Sequence, residues 1–493
     1  MNTDWAWMRL LVPEGIVVVT ALAALTCDLI ITRRRLAWNR GQAAGLLSCL
    51  GCVAAIWWLA WRPGPGNPAM LALTPLTQFL KCLLLVLVGF TAIISMRAKF
   101  TRHVGEYFAL LLLATVGMML LISSNNLLMI FLALELLSLP LYILTAFNKS
   151  SIASAEGALK YFLFGSVAAA FTLFGISLVY GLTGEIDLDS IATHLRAQPA
   201  KPAFYAALIM ILAGLSFKLA AAPFHFWAPD AYEGAPAPVA AFIASASKVA
   251  ALFVLAKVLL IGFINQAGSA ASGAYAPGWA PLLATLAVVS IGLGNLAALV
   301  QNNFKRLLAY SAIAHAGYGL LALLANPEQG LPALLFYIGA YGCAVLGAFA
   351  VVTVLEESGS RARLVDLAGL SRRSPLLAFC LLVFVLSLAG IPPLPGFFGK
   401  FYVFTATAGG LRPLGGLWLV VVAIIGSVVS LYYYLQALKQ VYAAPPLPDC
   451  GQLAWSWSAR LAISALCAIV IALGCAPNLL LSKICAAIQT STL

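Results

Sequence analysis

Apolar runs of about 18–25 residues recur along this chain, the length a tilted helix needs to cross a hydrocarbon slab. No water reaches the backbone there, so every N–H and C=O must be satisfied internally, which only helices and closed barrels achieve. The ten-residue alternation of a barrel strand is absent. About 14 runs meet the apolar-run criterion. Their cores lie at 16–32, 41–61, 76–95, 104–122, 126–147, 157–181, 203–222, 236–262, 280–301, 304–324, 331–355, 375–408, 414–438 and 459–480. The 493 residues are 63% hydrophobic and 9% charged, which excludes a soluble globular protein. The expected fold is all-α integral membrane, one transmembrane domain over 1–493 with no soluble domain.

A net charge of +12 raises the question of nucleic acid, but the basic residues are distributed as membrane topology. Arg33, Arg34, Arg35 and Arg40 lie between the first two spans, and Arg97, Lys99 and Arg102 between the third and fourth. Arg361, Arg363, Arg372 and Arg373 lie between the eleventh and twelfth. Loops on the other side are nearly free of Lys and Arg, and the longest, 182–202, carries Glu185, Asp187 and Asp189 against Arg196 and Lys201. The positive-inside rule then places both termini away from the cytoplasm, as an even number of spans requires. The basic excess serves topology and contact with anionic lipids, and no nucleic-acid partner is expected.

Ten cysteines show no CxxC and no Cys/His ligand spacing, and read as small hydrophobes. Asp4 and Glu14 flank the first span without a basic n-region, so no cleavable signal is expected. No Rossmann glycine pattern, P-loop, haem or iron–sulfur motif is present, so the chain is expected to carry no cofactor and no metal.

Two spans depart from plain helix. One ends in Pro223-Phe-His225-Phe-Trp227-Ala-Pro229-Asp230; the other contains Pro392-Pro393-Leu-Pro395-Gly-Phe-Phe-Gly-Lys400. Proline removes a helix hydrogen bond and clashes with the preceding turn, so both segments should be broken helices. Their freed carbonyls need partners, and buried water is the expected one. Pro223-Phe-His-Phe resembles Pro395-Gly-Phe-Phe, and the breaks stand five spans apart. This pairing predicts two inverted five-helix repeats, spans 4–8 (104–262) and 9–13 (280–440), with helices 7 and 12 discontinuous. Helices 1–3 (1–100) precede them, and a last helix (459–480) follows.

Against this apolar ground, four ionisable residues stand deep in their spans: Glu135, Lys218, Lys248 and Lys400. Lys248 sits roughly 18 Å from the start of its helix, near the middle of a ~30 Å slab, too deep to snorkel easily. Residues of this kind persist where they face protein or water and move charge. Lys218 is the natural electrostatic partner of Glu135, since a nearby ammonium keeps a buried carboxylate ionised. Lysines taken out of water and set near other cations can exchange protons near neutrality, and a row of them transports protons without a cofactor. Lys160, close to the start of its span, reads equally as an interfacial anchor or a proton site. His225 and His315 suit proton relay or a helix–helix hydrogen bond. Lys257 is expected to snorkel, while Lys305 and Arg306 are explained by topology.

Several stretches are similar to a known family: Leu134-Glu135-Leu-Leu-Ser-Leu-Pro140-Leu-Tyr142, Lys160-Tyr161-Phe162, Phe217-Lys218 with Pro223 to Pro236, Lys305-Arg306-Leu-Leu-Ala-Tyr310 through His315 to Tyr318, Asp366 to Pro375, and Ser387 to Lys400. They resemble the antiporter-like membrane subunits, the N type in particular, of the bacterial proton-pumping NADH:quinone oxidoreductases (respiratory complex I). The resemblance covers about 100–440, and Lys400 argues against the M type, where a Glu is expected. It implies a 14-helix subunit in which Glu135 pairs with Lys218, Lys248 is central and Lys400 leads outward. It further implies proton transport coupled to electron transfer from NADH to quinone, with FMN and iron–sulfur clusters on partner subunits. Partners would be L- and M-type antiporter-like subunits and small membrane subunits, in the bacterial inner membrane. Mrp-type cation/proton antiporters and membrane-bound hydrogenases share the lysines and are the alternative. Leu394-Pro395 departs from the family pattern, and the additional proline could reshape the second break.

Overall fold

The computed structural model describes residues 10–31, 37–61, 70–97, 100–197, 201–410, 415–446, 453 and 455–491. Asp4, Arg33, Arg34, Arg35 and Lys99, which entered the signal-peptide and topology expectations, lie outside them. The helices are α1 (Val12–Thr26), α2 (Ala37–Trp61), α3 (Pro75–Ser95), α4 (Val104–Ser123), α5 (Leu127–Thr145), α6 (Ile152–Thr183), α7 (Pro202–Leu219) and α8 (Ala237–Gly262). They continue with α9 (Trp279–Leu299), α10 (Phe304–Ala322), α11 (Pro327–Glu357), α12 (Pro375–Ala389), α13 (Pro395–Gly410), α14 (Leu417–Tyr442), α15 (Trp457–Cys475) and α16 (Asn478–Gln489). Twelve helices among the described residues are long and apolar enough to cross a membrane, and the protein is a multi-pass, all-helical membrane protein. Its only strands among these residues form a small hairpin, Ser269–Ala271 with Ala274–Ala276.

The expected helix breaks are present. α7 ends at Leu219 and a short helix, Trp227–Gly234, follows before α8; α12 ends at Ala389 and α13 begins at Pro395. Each upstream half closes with the same turn. Ala221 N–H reaches Ser216 O across left-handed Ala220, and Ile391 N–H reaches Leu386 O across left-handed Gly390. The additional proline, Pro395, opens α13, where its missing N–H has no helical partner to lose. The final segment differs from expectation: α15 stops at Cys475 and α16 begins after Pro477, a residue that cannot continue the ladder.

A second correspondence links α5 and α10. Asn126 caps α5 by accepting from the N–H groups of Leu128 and Met129, and Asn303 caps α10 through Lys305 and Arg306. The backbone on either side of each cap pairs with a later loop. Leu127 N and Leu188 N exchange bonds with Ile186 O and Asn125 O; Phe304 N and Leu364 N do the same with Ala362 O and Asn302 O.

Burial decides which helices can hold charge. The apolar windows of α8 and α11 are 100% buried, whereas that of α6 is 28% buried. The outer helices therefore present apolar side chains such as Leu163, Val167 and Phe174 outward, and α8 and α11 form the axis. α8 carries two π-helical turns, Ile243–Ser247 and Val258–Gly262, the first immediately before Lys248. Such turns shift the side-chain register and recur at functional sites.

Gly390 has φ +85°, and a Cβ built there would meet Lys400 Cδ at 2.9 Å. Gly390→Ala should cost about 1–2 kcal/mol in the left-handed region and displace the Lys400 side chain. A lowered thermal midpoint of the purified assembly is the expected result.

Candidate functional site

The structure buries three of the expected lysines almost completely: Lys218 is 4%, Lys248 3% and Lys400 4% exposed. Lys218, one residue before the end of α7, donates to Ser138 Oγ at 2.9 Å and to Tyr161 OH at 3.4 Å. Glu135 lies one turn before Ser138 on α5, half-buried and within electrostatic reach of Lys218. Of the direct or one-water contact expected between Glu135 and Lys218, the direct ion pair is not formed. α5 turns Ser138 rather than Glu135 onto the ammonium, while Glu135 lies beside the outward stripe of Leu128, Leu132, Leu139 and Ile143.

Lys248 donates to Ala312 O of α10 at 2.5 Å. Lys400 donates to Ala389 O and to Ser427 Oγ, both at 2.9 Å, and stands over the Tyr318 ring at 5.1 Å. Among the described residues neither Lys248 nor Lys400 has a carboxylate within ion-pair distance. Between them lies His315, 4% exposed, with Nδ1 2.6 Å from Tyr337 OH and Nε2 3.5 Å from Tyr434 OH. Tyr434 is bonded to Ser311, and Asn295 joins Tyr318 and Tyr433 at 3.1 Å each. His315 is in electrostatic contact with both Lys400 and Lys248.

At the broken segments several backbone groups find side-chain partners. The carbonyl of Phe217 accepts from Trp227 Nε1 at 3.0 Å, and Ala389 O accepts from Lys400 itself. Ala222 N donates to Ser290 Oγ at 2.8 Å. Side chains therefore satisfy these freed backbone groups. Pro223, Phe224 and Phe226 border a cavity of about 280 Å³ lined by apolar and aromatic side chains. Pro392 and Pro393 are exposed as well.

Two of the remaining candidates are placed apart from the row. Lys160 forms ion pairs with Glu156 at 2.6 Å and Asp230 at 2.7 Å, and Arg306 shares Asp230 and also meets Glu233 at 3.0 Å. The cluster ties the start of α6 to α10 and to the connection between α7 and α8. In the connection between α7 and α8, burial works to raise the Asp230 carboxyl, but hydrogen bonds from Lys160 and Arg306 outweigh it and hold it below its ordinary value. A carboxyl lowered by folding stabilises above its unfolded value and loses that contribution as pH falls through the folded one. The pairs that Asp230 makes with Lys160 and Arg306 therefore persist from neutrality to below about pH 3.9. His225 is 7% exposed, stacks on Phe226 and keeps a buried Nδ1 without a partner.

Three features escaped the sequence. Lys257 does not snorkel: it is 3% exposed and donates to Ile122 O and Ser124 O at the end of α4. Lys81 of α3 and Glu14 of α1 form a buried ion pair at 2.6 Å. Lys305 is tied to Glu356 at 2.7 Å, beside a polar cavity of about 430 Å³ at the start of α8. These pairs join residues distant in sequence, so no local pattern announces them.

A broken-helix membrane bundle with buried, counter-ion-free lysines on its axis defines an antiporter-like ion-translocating subunit. Comparison agrees. The family described as "NADH:quinone oxidoreductase/Mrp antiporter, TM" matches residues 124–430. NADH-quinone oxidoreductase subunit N 2 of Acidobacterium capsulatum is 50% identical over 484 residues, 96% of this chain and 97% of that one. Subunit N of Desulfovibrio desulfuricans is 39% identical, covering 94% and 92%. A chain of respiratory complex I from Thermus thermophilus superposes with TM-score 0.78 at 37% identity, covering 95% of this chain and 98% of that one. A chain of the Mrp complex from Dietzia shares the fold alone, with TM-score 0.82 at 21% identity. This chain belongs to the NADH-quinone oxidoreductase subunit N family.

Removing one partner of a buried ion pair strands the other charge, at about 3–5 kcal/mol, whereas replacing both can be neutral. Lys81→Met alone and Glu14→Gln alone should therefore lower the thermal midpoint of the assembly, and the double variant should recover most of the loss. A double variant as unstable as the sum of the singles would contradict this.

Proposed function

We propose that this chain is the proton-translocating N-type membrane subunit of a bacterial NADH:quinone oxidoreductase. Electron transfer from NADH to quinone runs on other subunits, where FMN and iron–sulfur clusters reside, and this chain moves protons across the membrane. The reading is carried by one observation: buried Lys248 on α8 and Lys400 on α13, each facing neutral oxygens in place of a carboxylate. An ammonium so placed lacks the counter-charge that would fix its proton, and the cost of burying it is recovered when the proton leaves.

Roles follow from position. Lys218 loads a proton through Ser138 and Tyr161, with half-buried Glu135 biasing its charge from the flank. Lys248 is the central carrier, His315 with its tyrosines connects it to Lys400, and Lys400 leads outward from the second break. His225 is a relay candidate because its buried Nδ1 is unpartnered, whereas Lys160 acts as an anchor through Asp230. The prolines Pro223, Pro392, Pro393 and Pro395 end and restart the helices so that Lys218 and Lys400 lie at helix termini.

Fourteen spans are reached when α10 and the α12–α13 pair join the twelve long apolar helices, with α15 as the last. The matching caps at Asn126 and Asn303, and the matching turns at Ala220 and Gly390, support inverted repeats over 104–262 and 280–440 after helices 1–3. Both termini face away from the cytoplasm by charge asymmetry. The outward apolar faces meet lipid and neighbouring membrane subunits, of L, M and smaller types.

Lys248→Ala should assemble yet lower the number of protons moved per NADH oxidised in reconstituted vesicles. Lys248→Arg should rescue only in part, because guanidinium barely deprotonates. Normal proton yield from an assembled Lys248→Ala complex would contradict the assignment.

A further inference from the structure

The connection between α7 and α8 reaches the Lys218 site through its short helix, Trp227–Gly234. Charge holds this helix in place: Asp230 pairs with Lys160 of α6 at 2.7 Å and with Arg306 of α10 at 2.5 Å. Close approach reinforces the docking, since a Cβ on Gly157 of α6 would meet Asp230 O at 2.6 Å. One turn before Asp230 stands Trp227, 1% exposed. Its Nε1 donates to Phe217 O at 3.0 Å, bridging the helix break one residue before Lys218. Its ring lies flat on that of Tyr161, with centroids 3.9 Å apart and 5° between planes.

Tyr161 follows Lys160 on α6, is fully buried, and its hydroxyl accepts from Lys218 Nζ at 3.4 Å. Tyr142 meets the same ring edge-on at 4.7 Å. Among the described residues the ammonium is faced by Ser138 and, at longer range, Glu135 from α5, and by Tyr161 from α6. A bond of 3.4 Å is near the limit of hydrogen-bond geometry, so a small displacement of the Tyr161 ring breaks it. The indole closes one face of that ring and leaves it little room to move.

We propose that Trp227 is a positioning residue for proton loading at Lys218: it holds the Tyr161 hydroxyl on the ammonium and, through the short helix, makes that contact depend on the Asp230 ion pairs. Two adjacent residues of α6 thus meet two residues of the short helix one turn apart. The Lys160–Asp230 pair fixes the short helix on α6, and the Tyr161–Trp227 stack passes its position to Lys218. Arg306 extends the clasp to α10, which also supplies the Ala312 carbonyl to Lys248, so a shift of α10 acts on both lysines. The inference rests on the proton-translocating reading above.

The test is Trp227→Phe, Tyr161→Phe and their double variant in the whole complex, with Lys248→Ala alongside. The readout is protons moved per NADH oxidised in vesicles, followed against pH. An ammonium that loses an oxygen acceptor gives up its proton more readily, so the alkaline limit of the proton yield should move to lower pH. The expected shift is about one pH unit, the size of one hydrogen bond to a charged group. Trp227→Phe should reproduce the shift of Tyr161→Phe, and the double should move no further, because Trp227 acts through Tyr161. A purely structural role predicts a lowered yield with an unmoved limit. An unmoved limit in either single variant, or additive shifts in the double, would overturn the proposal and leave the function standing. If Trp227→Phe fails to assemble, Asp230→Asn decides, since it loosens the short helix and keeps the indole. A limit moved in the same direction supports the clasp, and an unmoved limit refutes it. A wild-type yield in Lys248→Ala would remove the function, and this inference with it.

Discussion

Burying an ammonium in hydrocarbon is expensive, and this protein does so at Lys218, Lys248, Lys257 and Lys400 without an anion at ion-pair distance. Lys248 and Lys400 are each met by neutral oxygens, and Lys218 by two hydroxyls with a carboxylate only at longer range. A buried salt bridge would have been stable but inert, as the Lys81–Glu14 pair between α1 and α3 illustrates. Neutral partners leave the charge and its absence closer in free energy, the condition a proton carrier requires. Placing such groups on α8 and around α11, the helices most removed from lipid, keeps the cost finite.

The helix breaks serve the same constraint. Ending α7 beside Lys218 and beginning α13 just before Lys400 puts backbone dipoles and free carbonyls where the ammonium groups need acceptors. Lys400 takes Ala389 O, a carbonyl left open by the break it follows. The charge thus satisfies the break, and the break satisfies the charge. The first break uses Trp227 for the same purpose, and this fixes the ring that stacks on Tyr161 at 3.9 Å.

Depth in an apolar run was legible from sequence, so Lys218, Lys248 and Lys400 could be identified and both breaks placed by their prolines. Pairing was not. Whether Glu135 or Ser138 faces Lys218 depends on a rotation of α5 about its axis, and a helix apolar on all sides gives no periodic signal to set it. Lys257 was misread because depth along the chain does not reveal that the end of α4 covers it. The doubled asparagines Asn125-Asn126 and Asn302-Asn303 were a usable signal that α5 and α10 begin alike, visible once their capping role is recognised. The tyrosines carried none, since their rings fill space as any aromatic would and only the fold brings the Tyr337 hydroxyl to His315.

The central claim is that buried lysines change protonation during turnover. Infrared difference spectra of the assembled complex, with lysine side chains nitrogen-15 labelled, read this directly when NADH is added. The account predicts isotope-sensitive ammonium bands that appear on turnover and lose a component in Lys248→Met. Lysine bands unchanged by turnover, or identical in wild type and Lys248→Met, would contradict it.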